Sequence, residues 1–206
     1  MQLQTAFFER DTLIVARELI GKHFVHHTEE GEVLKGRIVE TEAYIGPDDR
    51  ASHTFGGKIT NKNKTMFGNA GVLYVYINYG IHHCVNVVTK GAGYPEGVLI
   101  RAVEPLEGLE HMSHRRFQKP LHELKEREMF QLTNGPGKLG QAFHIQKHKH
   151  NAHSLSSETL YLEEGSGCGD IATSPRIGIP NSQEAKMYPW RFFEKDNPYV
   201  SKAPKR

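Results

Sequence analysis

Two glutamates and a tyrosine alternate along one apolar segment, Val39-Glu40-Thr41-Glu42-Ala43-Tyr44, and His53 follows after a Gly46-Pro47-Asp48-Asp49 turn. In a strand, alternate side chains share a face, so Glu40, Glu42 and Tyr44 point the same way. A carboxylate beside an aromatic ring at a pocket wall is suited to take a proton from water. Spacing does not choose between Glu40 and Glu42, and a solvated edge strand would carry the same pattern.

A second cluster is richer in rings: Leu73-Tyr74-Val75-Tyr76-Ile77-Asn78-Tyr79-Gly80. Tyr74 and Tyr76 share a face, and alternation puts Tyr79 on the other, beside a turn. Such a stripe serves equally as core. A tyrosine at a hairpin tip, however, is costly to expose without a partner, and side chains placed there wedge into base stacks. Arg101 sits inside the apolar run Leu99-Ile100-Arg101-Ala102-Val103, where a guanidinium needs an acidic partner. That partner makes either a structural ion pair or a link to Glu42 that positions water.

The thirteen histidines raise the question of metal. Neither His82-His83-Cys84 nor the 147–153 segment has paired-ligand spacing, so no metal is expected. Phosphate loops of the P-loop type and serine nucleophile elbows are missing too, and no cofactor is expected.

These residues must be carried by identifiable elements. Asp11 reads as the cap of a helix over 12–20, ended by Gly21. Strands follow at 22–27 and 33–44, then an irregular loop over 50–70, a length that usually means binding. Residues 72–77 and 81–88 form a hairpin around Asn78-Tyr79-Gly80. A strand over 97–103 precedes helices at 106–116, 121–132 and 138–143, with Pro105 placed to open the first. Short strands are expected at 159–162, 176–179 and 190–194. One mixed α/β domain spanning 1–206, with mostly antiparallel strands and a loose tail over about 195–206, accounts for all of this.

With 206 residues, 37% hydrophobic and 24% charged, the chain can bury a real core. No apolar stretch approaches the roughly 20 residues that span a bilayer, and the start resembles no secretory leader. Two cysteines, Cys84 and Cys168, lack metal spacing and suit a reducing compartment. A cytoplasmic, membrane-free monomer is expected. The net charge of +2 is too mild to imply nucleic acid, but residues 50–65 carry Arg50, Lys58, Lys62 and Lys64 with no acid. Such a patch is either a solvated face or a phosphate contact.

Four ordered segments together are specific: GRIVETEAYIGPDDRASH (36–53), MFGNAGVLYVYINYGIHHCVNV (66–87), VLIRAVEPLEGLE (98–110) and NGPGKLGQAF (134–143). They resemble the alkyladenine (3-methyladenine) DNA glycosylase family over residues 5–194. The resemblance implies a curved, mostly antiparallel sheet with flanking helices and a protruding β-hairpin that enters the minor groove of double-stranded DNA holding a damaged purine. It makes Glu42, rather than Glu40, the residue that deprotonates water, with Arg101 placing that water. Tyr44, His53 and Tyr76 line the base pocket, Asn86 reads the purine edge, and Tyr79 fills the gap left in the duplex. Lys58, Lys62, Lys64 and Lys138 become candidate phosphate contacts, Lys138 at a helix entrance. Base release without strand cleavage is expected, since no lysine is placed as a Schiff-base nucleophile. The competing readings are a DNA-binding module without catalysis and a metal-dependent hydrolase using the histidines.

Overall fold

The computed structural model, which describes residues 1–201, opens with two short helices, α1 (Thr5–Phe8) and α2 (Thr12–Glu18). The Asp11 carboxylate accepts hydrogen bonds from the Leu13 and Ile14 amides and so starts α2. Strands β1 (His23–His27) and β2 (Val33–Ile45) come next, then the 50–70 loop with its short 3₁₀ turns. The hairpin is β3 (Leu73–Asn78) and β4 (His82–Gly91), followed by β5 (Tyr94–Glu107). Helices α3 (Leu109–Phe117), α4 (Glu126–Phe130), α5 (Pro136–Ala142) and α6 (Lys147–His150) precede three short strands, β6 (Leu160–Glu163), β7 (Ile171–Ser174) and β8 (Arg191–Glu194).

All eight strands join one curled antiparallel sheet in the order β3-β4-β5-β2-β1-β6, with β8 pairing β2 and β7 pairing β8. The strand bearing Glu40 and Glu42 is therefore not an edge: it bonds to β1, β5 and β8. Its register slips on both sides of Glu40, leaving Val39 on β2 and Arg101 on β5 without a cross-strand partner. Such bulges re-aim side chains, and this one sits where Arg101 must turn toward two carboxylates. One face of the sheet buries Phe24, Ile38, Val85 and Ile100 against Leu19, Met112, Leu139 and Phe143 of the helical side. The Phe24 and Phe143 rings stack at 5.2 Å.

Several expected boundaries move. The third long strand runs on through Pro105 to Glu107, because Gly108, at φ 79°, makes the turn that the proline does not; the helix begins at Leu109. The helix expected over 121–132 divides into a 3₁₀ turn, Leu121–Glu123, and α4. Residues 176–179 form loop, and the strand lies earlier, at β7. Of the tail expected over 195–206, residues 202–206 lie outside the described residues. Ser201, by contrast, is buried in the protein, for reasons given below.

Helix α5 is seated by its glycines. A Cβ added at Gly140 would run into the backbone carbonyl of His83 on β4, so the close approach that brings Pro136 to the site depends on Gly140. Gly140→Ala gains about 1 kcal/mol of helix propensity, but the overpacking penalty of about 1–3 kcal/mol acts against backbone that cannot step aside. A net loss of about 1–2 kcal/mol is expected in urea unfolding; a stabilised variant would show that α5 is not held this way.

Candidate active site

On the face of the sheet opposite the main core, a cavity of about 450 Å³ lies against the hairpin. Alternation builds its floor: Tyr74 and Tyr76 project from β3, and Cys84 and Asn86, their cross-strand partners, from β4. Leu99 and Arg101 extend the floor from β5, and Tyr44 closes one side from β2. Two loops make the remaining walls. One carries His53, and the other is the 177–182 segment. The 50–70 loop holds its shape because Asn63 is buried, donating to the carbonyls of His53 and Lys58 while its Oδ1 accepts from Thr60.

Glu42 stands directly behind this wall and is fully buried. Its Oε2 accepts from the Tyr44 hydroxyl at 2.8 Å. Its Oε1 accepts from the Ile177 amide at 2.7 Å and lies 3.2 Å from Arg101 Nη1. Arg101 reaches the other way to Glu40, Nε to Oε1 at 2.9 Å, and Arg191 meets the same oxygen at 2.7 Å. Burial opposes the charge on Arg101, but Glu42 and Glu40 outweigh it and hold the guanidinium above its usual range. Burial, reinforced by the charge on Glu42, keeps the Tyr44 hydroxyl protonated well beyond its ordinary value, so it is a donor to that carboxylate.

The aromatic wall is likewise uncharged. His53 Nδ1 lies 2.9 Å from the Tyr74 hydroxyl, and its ring meets Tyr76 edge-on at 4.5 Å between centroids. His53 is exposed at the cavity wall, yet the neighbouring protein desolvates it enough to lower its pKa. Burial pushes the Tyr74 hydroxyl up to about 12 and raises that of Tyr76 as well. In the tautomer in which Tyr74 donates to Nδ1, the neutral imidazole presents Nε2–H to whatever enters. Three phenol rings and a neutral imidazole around a cavity suit a flat, electron-poor ring.

Glu42, Arg101, Tyr44, His53, Tyr76 and Asn86 thus converge. Tyr79 also borders the cavity, at its mouth, and is 86% exposed. Simple alternation puts it on the opposite side of the hairpin; the turn overrides this, because Tyr79 at φ 49° and Gly80 at φ 75° are both left-handed and end the two-residue period. Lys58, Lys62 and Lys64 lie exposed on the His53 loop, outside the cavity. Lys138 is partly buried with its Nζ on Asn134 Oδ1 at 2.7 Å.

Three contributors were given no site role from the sequence. Tyr74 was legible from the face it shares with Tyr76. Arg176 and Ile177 gave no signal, because their partners are remote in the chain. Arg176 is fully buried, bonds Asp49 through both terminal nitrogens, donates to the Ala43 carbonyl and lies 4.6 Å from the centre of the Tyr44 ring. It thereby brings the neighbouring Ile177 amide to Glu42. Among the described residues, no group of three or more His, Cys, Asp or Glu side chains is placed to hold a metal ion, and no helix is long and apolar enough to cross a membrane.

Residues 6–198 match the family described as methylpurine-DNA glycosylase (MPG). The chain belongs to that family. A relative from Desulfitobacterium hafniense (strain Y51), named "Putative 3-methyladenine DNA glycosylase", is 49% identical over 97% of this chain and 98% of its own. Relatives of the same name from Clostridium tetani and Bacillus mycoides are 47% and 44% identical, each over 98% of this chain and all of theirs. As a methylpurine-DNA glycosylase family member, the protein is a DNA glycosylase, a hydrolase acting on N-glycosyl bonds.

The neutral histidine is directly checkable. Titrated by NMR, His53 is expected to protonate below the ordinary histidine midpoint of about 6.5. At pH 7 it is then uncharged, and only on acidification does an imidazolium appear beside the rings. A midpoint at or above that reference would contradict the electrostatics described for the pocket.

Proposed function

We propose that this cavity receives a damaged purine flipped out of duplex DNA, and that Glu42 activates the water that displaces the base from its sugar. The carrying observation is the buried Glu42 carboxylate, held by the Tyr44 hydroxyl and Arg101 at the back of an aromatic pocket whose mouth carries the exposed Tyr79. A water entering at Arg101, which lines the cavity, lies next to Glu42 and can pass it a proton. General-base help of this kind is worth roughly 10²–10⁴-fold.

The substrates are alkylated or deaminated purines of the 3-methyladenine, 7-methylguanine, hypoxanthine and ethenoadenine class. Alkylation at N3 or N7 leaves the purine cationic, so it departs with little acid assistance. A cation held against tyrosine faces gains about 0.5–2 kcal/mol once desolvated, and an uncharged His53 does not oppose it. Flipping costs a few kcal/mol, least for a mispaired or damaged base, which adds discrimination. For neutral lesions such as hypoxanthine, the Nε2–H of His53 is a donor to the base edge. Asn86 excludes guanine by collision with its exocyclic amine. Its Nδ2 is tied to the Tyr74 carbonyl at 3.1 Å, so it cannot swing aside.

Tyr79 fills the space the flipped nucleotide leaves. Lys58, Lys62 and Lys64, beside His53 in the chain, together with Lys138 near the hairpin, contact phosphates. The enzyme works as a monomer in the cytoplasm, without cofactor or metal, and begins base excision repair. No lysine borders the cavity among the described residues, which supports base release that leaves the DNA backbone intact.

Duplexes carrying one lesion each test this reading. Free base is expected from at least one of them, with strand breaks only after alkali. Glu42→Gln should lower single-turnover release by roughly 10²–10⁴-fold while lesion DNA still binds. Undiminished release by that variant would remove Glu42 from the chemistry. Tyr79→Ala should weaken capture of a lesion in duplex DNA more than release from a single strand; equal losses on the two substrates would rule out the wedge.

A further inference from the structure

Among the described residues, Glu42 pairs with one charged group, Arg101, and that arginine is shared. What fixes its position lies at the far end of the chain. Glu40, fully buried, receives four hydrogen bonds: Arg101 Nε at 2.9 Å, Arg191 Nε at 2.7 Å, Ser201 Oγ at 2.7 Å and the Ser201 amide at 2.8 Å. Ser201 Oγ also accepts from Arg101 Nη2 at 3.3 Å, and the Ser201 carbonyl accepts from Arg191 Nη2 at 2.9 Å. Every polar group of this one residue is therefore spent on the network that carries Arg101.

We propose that the segment ending at Ser201 is a working part of the catalytic centre, with Ser201 a positioning residue for Arg101. The inference rests on the reading that Glu42 and Arg101 handle the attacking water. Without the Ser201 hydroxyl, Glu40 Oε1 loses one of its donors and Arg101 Nη2 loses its acceptor, so both side chains gain freedom to rotate in a buried site. Arg101, bonded at Nε to that same carboxylate oxygen, moves with Glu40. Its Nη1 contact with Glu42, already the longest in the chain of ion pairs at 3.2 Å, is the one such a shift breaks first. The bulge at Arg101 supports this, because the side chain gets no cross-strand neighbour to hold it in place.

A purely structural role for the segment would lower duplex affinity in step with rate. Positioning slows release at unchanged affinity in protein that is folded in the assay, whatever the loss in melting temperature. The test is single-turnover base release on a lesion duplex by the full chain, with duplex affinity and melting temperature measured in parallel. Ser201→Ala, which removes the hydroxyl, is expected to slow release about tenfold with affinity unchanged. Ser201→Thr, which keeps a hydroxyl on the same carbon, should restore most of the rate. Unchanged release in Ser201→Ala overturns the inference, as does a fall in rate matched by an equal fall in affinity, or failure of threonine to rescue. If the native protein itself releases no base from any lesion duplex, the fault lies instead with the functional reading on which the inference stands.

Discussion

A single guanidinium divided between two buried carboxylates governs the architecture around it. Arg101 touches Glu40 with one nitrogen and Glu42 with another, and all three groups are shielded from solvent. Charges withdrawn from water are tolerable only when paired and hydrogen-bonded. Arg191 supplies the second positive charge, so two carboxylates face two guanidiniums and the interior is neutral. This balance explains why the strand carrying the glutamates is central. Strand β5 delivers Arg101, and β8 delivers Arg191 opposite Glu42 in register. Losing one member of such a network leaves the rest unpaired, a penalty of about 3–5 kcal/mol. Catalytic placement and fold stability are thus supported by the same bonds.

Around that charged layer the pocket is kept neutral, and the contrast is functional. The tyrosines stay protonated and His53 stays uncharged because burial disfavours their ionised forms. Among the described residues, the charged side chains lining the cavity, Arg50 and Arg101, are each paired with carboxylates. A cationic purine then meets quadrupoles rather than like charge, while the compensated Glu42 lies one layer behind, near where the sugar of the same nucleotide would be. In the proposed reading, recognition in front is separated from proton transfer behind, an arrangement compatible with both charged and neutral bases.

Much of this was readable from the chain because it depends on local periodicity. Alternation grouped Glu42 with Tyr44 on β2 and Tyr74 with Tyr76 on β3, and in the sheet both pairs lie on the cavity side. What alternation could not do was choose between the glutamates. Both are fully buried, and the difference lies in partners contributed by Tyr44, Ile177 and Ser201, two of them more than a hundred residues away. Local signals also failed where a competing rule was stronger. Pro105 suggested a helix start, but the pairing of Glu107 with Lys35 prolongs the strand. The residues after Glu194 looked like a loose tail, and only the three-dimensional position of Glu40 shows why Ser201 is drawn inward.

The hairpin joins these layers into one rigid piece. Tyr76 faces the pocket and Tyr79 stands at the tip, three residues on, a span of roughly 10 Å at strand spacing. Tyr79 is held in a left-handed backbone conformation that costs a non-glycine residue about 1–2 kcal/mol, and its ring, with the side chains of Ile77 and Ile81 beside it, is left in solvent. The left-handed backbone closes the hairpin, but the exposed ring does nothing for the isolated protein. It makes sense in the proposed reading, in which the tip enters a base stack while the base it displaces lands on Tyr76. Because the root of the hairpin is fixed by the sheet and by α5 against its back, insertion at one end cannot occur without presenting the pocket at the other. In the proposed reading, wedge and receptacle are separated by a few residues of strand, so strand geometry sets the distance between them.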